Sequence, residues 1–171
     1  MKITPKMILD KNPCPKWTEE RIKKYLGDGM DVLDALNIED VSVSDKIWVA
    51  VGFLPDKINY QFAIWCARQC KAGIKEITDY IDVAEKYYIY GTATKRELKV
   101  ARDVAHCAAD TAPDWVADWA AYMAPDMAAD MVADMMADWV AVWAANTVAM
   151  RKKQLAKLKE LVTLTLLKGG K

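Results

Sequence analysis

Residues 110–149 divide into ten consecutive tetrads: DTAP, DWVA, DWAA, YMAP, DMAA, DMVA, DMMA, DWVA, VWAA and NTVA. Asp opens seven of them, Trp or Met stands second in eight and Ala closes eight, so three rows of unlike chemistry run side by side. A period of four advances an ideal helix by about 400°, which makes each row an i, i+4 ridge drifting about 40° per repeat. Ridges of this kind pack into the grooves of a neighbouring helix at a steep crossing angle. Met127, Met131, Met135, Trp139 and Trp143 form a bulky ridge, and Ala129, Ala133, Ala137, Ala141 and Ala145 a low one that admits close backbone approach. Asp126, Asp130, Asp134 and Asp138 form the third. A block of this pattern is expected to be helical and to lie against something.

The acidic row does not itself favour the helix. Asp is a mediocre helix former. The like-charged pairs 110–114, 114–118, 126–130, 130–134 and 134–138 each cost an isolated helix about 0.2–0.5 kcal/mol. Burying several Trp and Met side chains, at about 1.5–3 kcal/mol each, outweighs that sum. Pro113 and Pro125 forbid normal interior hydrogen bonds, so kinks or fresh helix starts are expected at both, with a last helix running from about Pro125 into the 160s. The formal net charge of zero conceals segregation. Residues 103–150 hold eight Asp and no Lys or Arg, whereas residues 151–171 hold seven Lys or Arg against Glu160. An acidic start and a basic end suit the macrodipole of one long helix.

Shorter helices are expected ahead of the block. Thr18 can cap a helix over residues 17–26 that Gly27 and Gly29 end, and a short segment follows at 31–36. Ser44 is placed to cap a helix that Pro55 stops. Residues 56–73 give a strong helix with Ile58, Phe62, Trp65 and Cys66 on one face. Thr78 can cap the next helix, which Gly91 ends, and Thr94 with Glu97 forms a capping-box pattern before a helix through Val100, Val104 and Cys107. No period-two run appears. The fold class expected is all-α: short N-terminal helices packed against one or two long Ala-rich helices. Residues 1–16, with Pro5, Pro13 and Pro15, read as an extended arm, 17–112 as a helical domain, and 113–168 as tetrad helices and basic tail packed on it. In that tail Leu155, Leu158, Val162 and Leu166 form an apolar stripe suited to a core or a dimer seam, and a homo-oligomer is expected.

The segments FAIWCARQC and GTATKRELKVARDVAHCAAD, the Ala-rich repeat and the closing RKKQLAKLKELV resemble the immunity-protein family of bacterial polymorphic-toxin systems, also met in phage genomes. The likeness spans roughly residues 45–165. Those tails mostly carry Tyr where this chain has Trp and Met. The resemblance implies stoichiometric binding and neutralisation of another molecule without catalysis, the partner being a toxin or a defence component.

Motifs for chemistry are scarce. There is no Gly-rich phosphate loop, no G-x-S-x-G and no H-E-x-x-H, so an enzyme is not expected and no cofactor is called for. Cys66 and Cys70 lie one turn apart, and His106 and Cys107 could approach them to make a zinc site. Small thiols buried between helices are the simpler reading, and no metal is expected. Basic residues near aromatics, namely Lys16, Trp17, Arg21, Lys23, Lys24 and Tyr25 with Arg68 and Lys71, could hold a phosphate-bearing ligand, although a solvated helix face explains them as well. The opening residues lack an apolar stretch of signal-peptide length, and Asp interrupts the block every four positions, so a cytosolic chain without membrane spans is expected.

The residues expected to meet a partner are Asp118, Asp126, Asp130, Asp134 and Asp138, which supply charge steering, with Trp115, Trp119 and Trp139 as apolar anchors. A solvated acidic face is the plain alternative. Mimicry of nucleic acid is the sharpest one, since carboxylates about 6 Å apart approximate the phosphate rise. The drift of the row and its large apolar neighbours speak against mimicry, and nucleic acid itself is not expected as a partner. A protein that traps a small nucleotide between helices, or a purely structural helical assembly, are the remaining readings.

Overall fold

The computed structural model describes residues 2–69, 75–110 and 148–169. The expected breaks at Pro113 and Pro125 lie outside the described residues, as do residues 111–147 of the tetrad block. In chain order the elements are β1 (Lys2–Ile3), α1 (Pro5–Leu9), α2 (Glu19–Leu26), β2 (Met30–Asp31), α3 (Val32–Ala35) and α4 (Val43–Phe53). They continue with α5 (Asp56–Gln69), α6 (Lys75–Glu85), a π-helical turn over Lys86–Tyr90, α7 (Lys95–Asp110) and α8 (Val148–Gly169). The fold is all-α apart from β1 and β2, a two-residue antiparallel pair with Lys2 opposite Asp31 and Ile3 opposite Met30. Two compact units result. The first comprises the described residues 2–54 and 148–169, the second residues 55–69 and 75–110.

Within the first unit residues 2–9 of the expected extended arm are folded instead, into β1 and α1, while residues 12–14 lie in no regular element. Ile3 is fully buried and Pro5 and Ile8 are buried with it. The Thr4 hydroxyl accepts from the Met7 N–H at 3.4 Å. Pro5 stands at the start of α1, where its missing N–H is no loss and its fixed φ suits the helix. A proline read as part of an extended arm is here a helix starter. Gly29, at φ 138°, makes the β pair possible: a Cβ there would lie 2.9 Å from Lys2 Cε and 3.0 Å from the Ile3 carbonyl oxygen.

Thr18 caps α2 as expected, accepting from Arg21 N–H. The cap of α4 is Ser42, two residues ahead of Ser44. Its hydroxyl accepts from Asp45 N–H at 3.2 Å and donates to the Asp45 carboxylate at 2.5 Å, an i, i+3 arrangement that Ser44, next in sequence to Asp45, cannot make. The helix ends at Leu54, whose extended backbone (φ −77°, ψ 151°) is what the following Pro55 requires. Helix α8 packs on α3 and α4, burying Gln154, Leu158, Leu161 and Val162. The stripe expected along α8 is therefore core at Leu158 and Val162 and exposed at Leu166.

In the second unit α5, α6 and α7 close around Ile64, Ile77, Tyr80, Ile81, Ala84, Leu98 and Ala105. On α5 the expected face holds for Ile58, Phe62 and Cys66, with Trp65 half-buried. Helix α6 begins at Lys75, so Thr78 lies inside it and does not cap it. Its far end is as expected: Gly91 takes the left-handed conformation (φ 65°), and Thr92 N–H closes on the Lys86 carbonyl at 2.9 Å. Thr94 and Glu97 form the capping box in full. Glu97 accepts from Thr94 N–H at 2.7 Å, and the Thr94 hydroxyl accepts from Glu97 N–H at 3.2 Å.

Candidate functional site

Helix α7 inverts the face that its apolar residues suggest. Leu98, at 4 % exposure, and Ala105, at 0 %, point into the core, while Val100 is 56 % and Val104 51 % exposed. Cys107 is exposed on the same side. These three sit at i, i+4 and i+7, one continuous apolar stripe. Small side chains decide the choice. Ala101 and Ala105 let the α7 backbone approach α6, where Tyr80 and Ile81 fill the space, whereas two β-branched residues would hold the helices apart. The signal was present in the sequence as charge: Arg96, Lys99 and Asp103 surround the two valines and are all exposed. A lone exposed valine needs no explanation, but an aligned apolar set on one helix does.

Several other aromatic and polar groups of the second unit contact one another. Tyr60 stacks on Tyr88 at 4.2 Å between ring centroids, and Tyr87 meets Tyr88 edge-on at 4.8 Å. Burial, reinforced by Tyr60 and Tyr87, pushes the Tyr88 phenol up to about 12, and burial raises Tyr80 as well. Arg68 donates to Asp82 at 2.7 Å and to Glu85 at 2.6 Å, so its guanidinium spans two carboxylates of α6.

The basic and aromatic residues around Trp17 in the first unit are likewise engaged with near neighbours. Asp45 is the hub. It accepts from Lys16 Nζ at 2.9 Å and from Trp17 Nε1 at 3.0 Å, in addition to Ser42. Burial pushes its carboxyl up, but the hydrogen bonds from Ser42, Lys16 and Trp17 outweigh that and hold it below the ordinary carboxylate value. Arg21 lies 4.8 Å over the Trp17 ring, and Trp17 meets Tyr25 edge-on at 5.8 Å. Lys23 pairs with Glu19 at 2.6 Å. Behind this latch lies an apolar cavity of about 50 Å³ lined by Ile8, Ile22, Leu26, Ile38, Trp48 and Val49 among others. Ligand pockets for drug-sized molecules run to roughly 300–1,000 Å³. The cluster fastens the segment before α2 onto α4.

The remaining sequence candidates divide plainly. Asp118, Asp126, Asp130, Asp134, Asp138, Trp115, Trp119 and Trp139 lie outside the described residues, as do Cys70, Lys71 and the His106 side chain. Cys66 is buried in α5 and Cys107 exposed on α7. Among the described residues no group of three or more His, Cys, Asp or Glu side chains is placed to hold a metal, and no helix is long and apolar enough to cross a membrane. No protein-family profile, curated protein or solved structure matches the chain.

Proposed function

We propose that this chain is a non-enzymatic binding protein that neutralises a protein partner by stoichiometric contact, in the manner of an immunity or counter-defence inhibitor. The observation that carries the reading is the α7 stripe: Val100, Val104 and Cys107 stand exposed on a helix whose sequence runs on into the Asp, Trp and Met tetrads. Apolar side chains flanked by charge are the composition of an interface, with the aliphatic groups as anchors and Arg96, Lys99 and Asp103 as rim. In this reading Asp118, Asp126, Asp130, Asp134 and Asp138 steer the partner, and Trp115, Trp119 and Trp139 anchor it. A toxin or a phage-defence component is the class of partner that the immunity-type resemblance suggests. Trapping a nucleotide beside Trp17 has less support, because Lys16 and Lys23 are paired with Asp45 and Glu19, Arg21 donates to the Lys16 carbonyl, and the cavity behind them is small.

The test is native mass spectrometry of tagged protein after exposure to bacterial lysate, run beside Val100→Asp/Val104→Asp and Asp130→Lys/Asp134→Lys/Asp138→Lys. One protein retained at fixed stoichiometry by the parent chain and lost from both variants is the expected result. Retention that survives both sets of substitutions means that neither the stripe nor the acidic row is the contact.

A further inference from the structure

The apolar cavity beside Trp17 plays no part in the α7 contact. Its surface is carbon almost throughout, and Trp17, Tyr25, Ile38 and Trp48 on its wall are only half-buried, so it reaches the outside of the first unit. Packed side chains rarely leave a void of about 50 Å³ open. Here the wall is held in place by polar bonds at its edge. The Trp17 indole N–H donates to Asp45 at 3.0 Å, and Arg21 lies 4.8 Å over the same ring. Asp45, the acidic side chain on the wall, is engaged with Ser42, Lys16 and Trp17. The space is therefore preformed and offers a guest little besides carbon.

Size and rim select that guest. An apolar cavity of about 150 Å³ takes a benzene ring, so one a third as large takes a branched aliphatic group of roughly three or four carbons. So few atoms bind weakly as a free molecule, and the group must belong to something larger that makes further contacts at the mouth. The mouth is basic. Arg21 and Lys24, exposed at i, i+3 on α2, lie over the Trp17 and Tyr25 rings of the wall, Lys24 at 5.9 Å. Lys16 and Lys23 pair with Asp45 and Glu19, whereas among the described residues no carboxylate forms an ion pair with Arg21 or Lys24. Arg21 gives one N–H to the Lys16 carbonyl at 3.4 Å, and a guanidinium has further donors to offer.

We propose that the cavity and these two cations bind a partner protein through a short acidic segment that bears one branched aliphatic side chain, Leu, Ile or Val. The aliphatic group fills the cavity as an anchor, and carboxylates beside it in the partner's sequence pair with Arg21 and Lys24. The surface belongs wholly to the first unit and is independent of the α7 stripe.

The test is fluorescence anisotropy of three dye-labelled heptapeptides titrated with the full chain: Glu-Asp-Glu-Leu-Glu-Asp-Glu, the same with Ala for Leu, and the same with Gln and Asn for the acids and Leu kept. Saturable binding of the first is expected, with each of the other two weaker by about tenfold or more. Val49→Phe, at a half-buried wall position, fills the cavity and should bring the Leu and Ala peptides to equal affinity. Arg21→Gln/Lys24→Gln, both exposed, should bring the acidic and neutral peptides to equal affinity with the thermal midpoint unchanged. Should Val49→Phe fail to fold, the Leu and Ala peptides compared on the parent still decide the role of the cavity. Equal affinity of the parent for those two overturns the proposal, and so does equal affinity for the acidic and neutral peptides. A dimer in sedimentation velocity that Arg21→Gln/Lys24→Gln dissociates also overturns it, since a second copy of the chain is then the occupant.

Discussion

Helices α4 and α7 both begin at a hydroxyl cap and both carry β-branched residues, yet they put them to opposite use. In α4 the apolar residues run almost without interruption, and Ile47, Ala50 and Val51 are buried to 2 % exposure or less. In α7 Lys95, Arg96, Glu97, Lys99, Arg102 and Asp103 crowd the first half, and the valines among them stay in water. The difference teaches that a helix chooses its inner face by where charge is absent and where side chains are small, not by where its largest aliphatics fall. A second lesson follows for function. Aliphatic groups stranded on a charged face cost the isolated chain little and are available to a partner.

The sharpest way to break this comparison is by truncation on either face. Ile47→Ala in α4 and Leu98→Ala in α7 each delete a packed aliphatic side chain and should cost about 2–5 kcal/mol. Val100→Ala and Val104→Ala should each stay within about 0.5 kcal/mol. Urea titrations followed by far-ultraviolet circular dichroism read the set directly. A Val104→Ala chain as damaged as Leu98→Ala would mean that the stripe is covered within the chain.

The next effect belongs to the Asp45 hub. Asp45→Ala releases Ser42, Lys16 and Trp17 together, at about 1–3 kcal/mol for partly buried polar groups left without a partner. Acid should mimic the substitution. The folded-state pKa of Asp45 lies below the unfolded value of about 3.9, so its contribution is present in full above that pH and is lost as pH falls through the depressed folded value. Tryptophan fluorescence against pH, compared between the parent and Asp45→Asn, isolates the step. A parent and variant that lose stability in parallel below pH 4 would remove Asp45 from the account.

Much of this was legible in the residues, and the misses share a physical cause. Capping signals that use a side chain and its own backbone, as at Thr18 or Thr94 with Glu97, are local, so the sequence contains everything that decides them. Ser42 and Ser44 offered the same hydroxyl, and only the return bond to Asp45 and the onward bonds to Lys16 and Trp17 select Ser42. Prolines near the start suggested an arm because their starter role at Pro5 depends on Thr4 and on Ile3 and Ile8 finding a core. The apolar period of α7 points the wrong way when taken alone, and the charges Arg96, Lys99 and Asp103 around Val100 and Val104 are what mark that face as outer.

A smaller effect tests the local half of that statement. Thr94→Ala removes an acceptor for Glu97 N–H and should cost about 0.5–2 kcal/mol. It should also fray the start of α7, readable as faster amide exchange at Glu97 and Leu98 with exchange at Ala105 unchanged. If Ala105 exchanges faster by the same factor, α7 opens as one piece with α6, and the cap is not an independent contribution.

The smallest effect on stability carries the largest consequence for function. Val100→Asp and Val104→Asp add charge to a face already bearing Arg96, Lys99 and Asp103, so each should leave the unfolding midpoint within about 0.5 kcal/mol of the parent. At an interface the same changes bury a carboxylate against the partner's apolar surface, where an unpaired charge is costly. Binding should therefore fall at least about tenfold for either substitution, which corresponds to about 1.4 kcal/mol. The neighbouring Lys99→Ala, on the rim, should change the association rate and its salt dependence more than the dissociation rate. Equal losses from the valine and the lysine changes would mark the face as electrostatic throughout, with the α7 stripe no anchor at all.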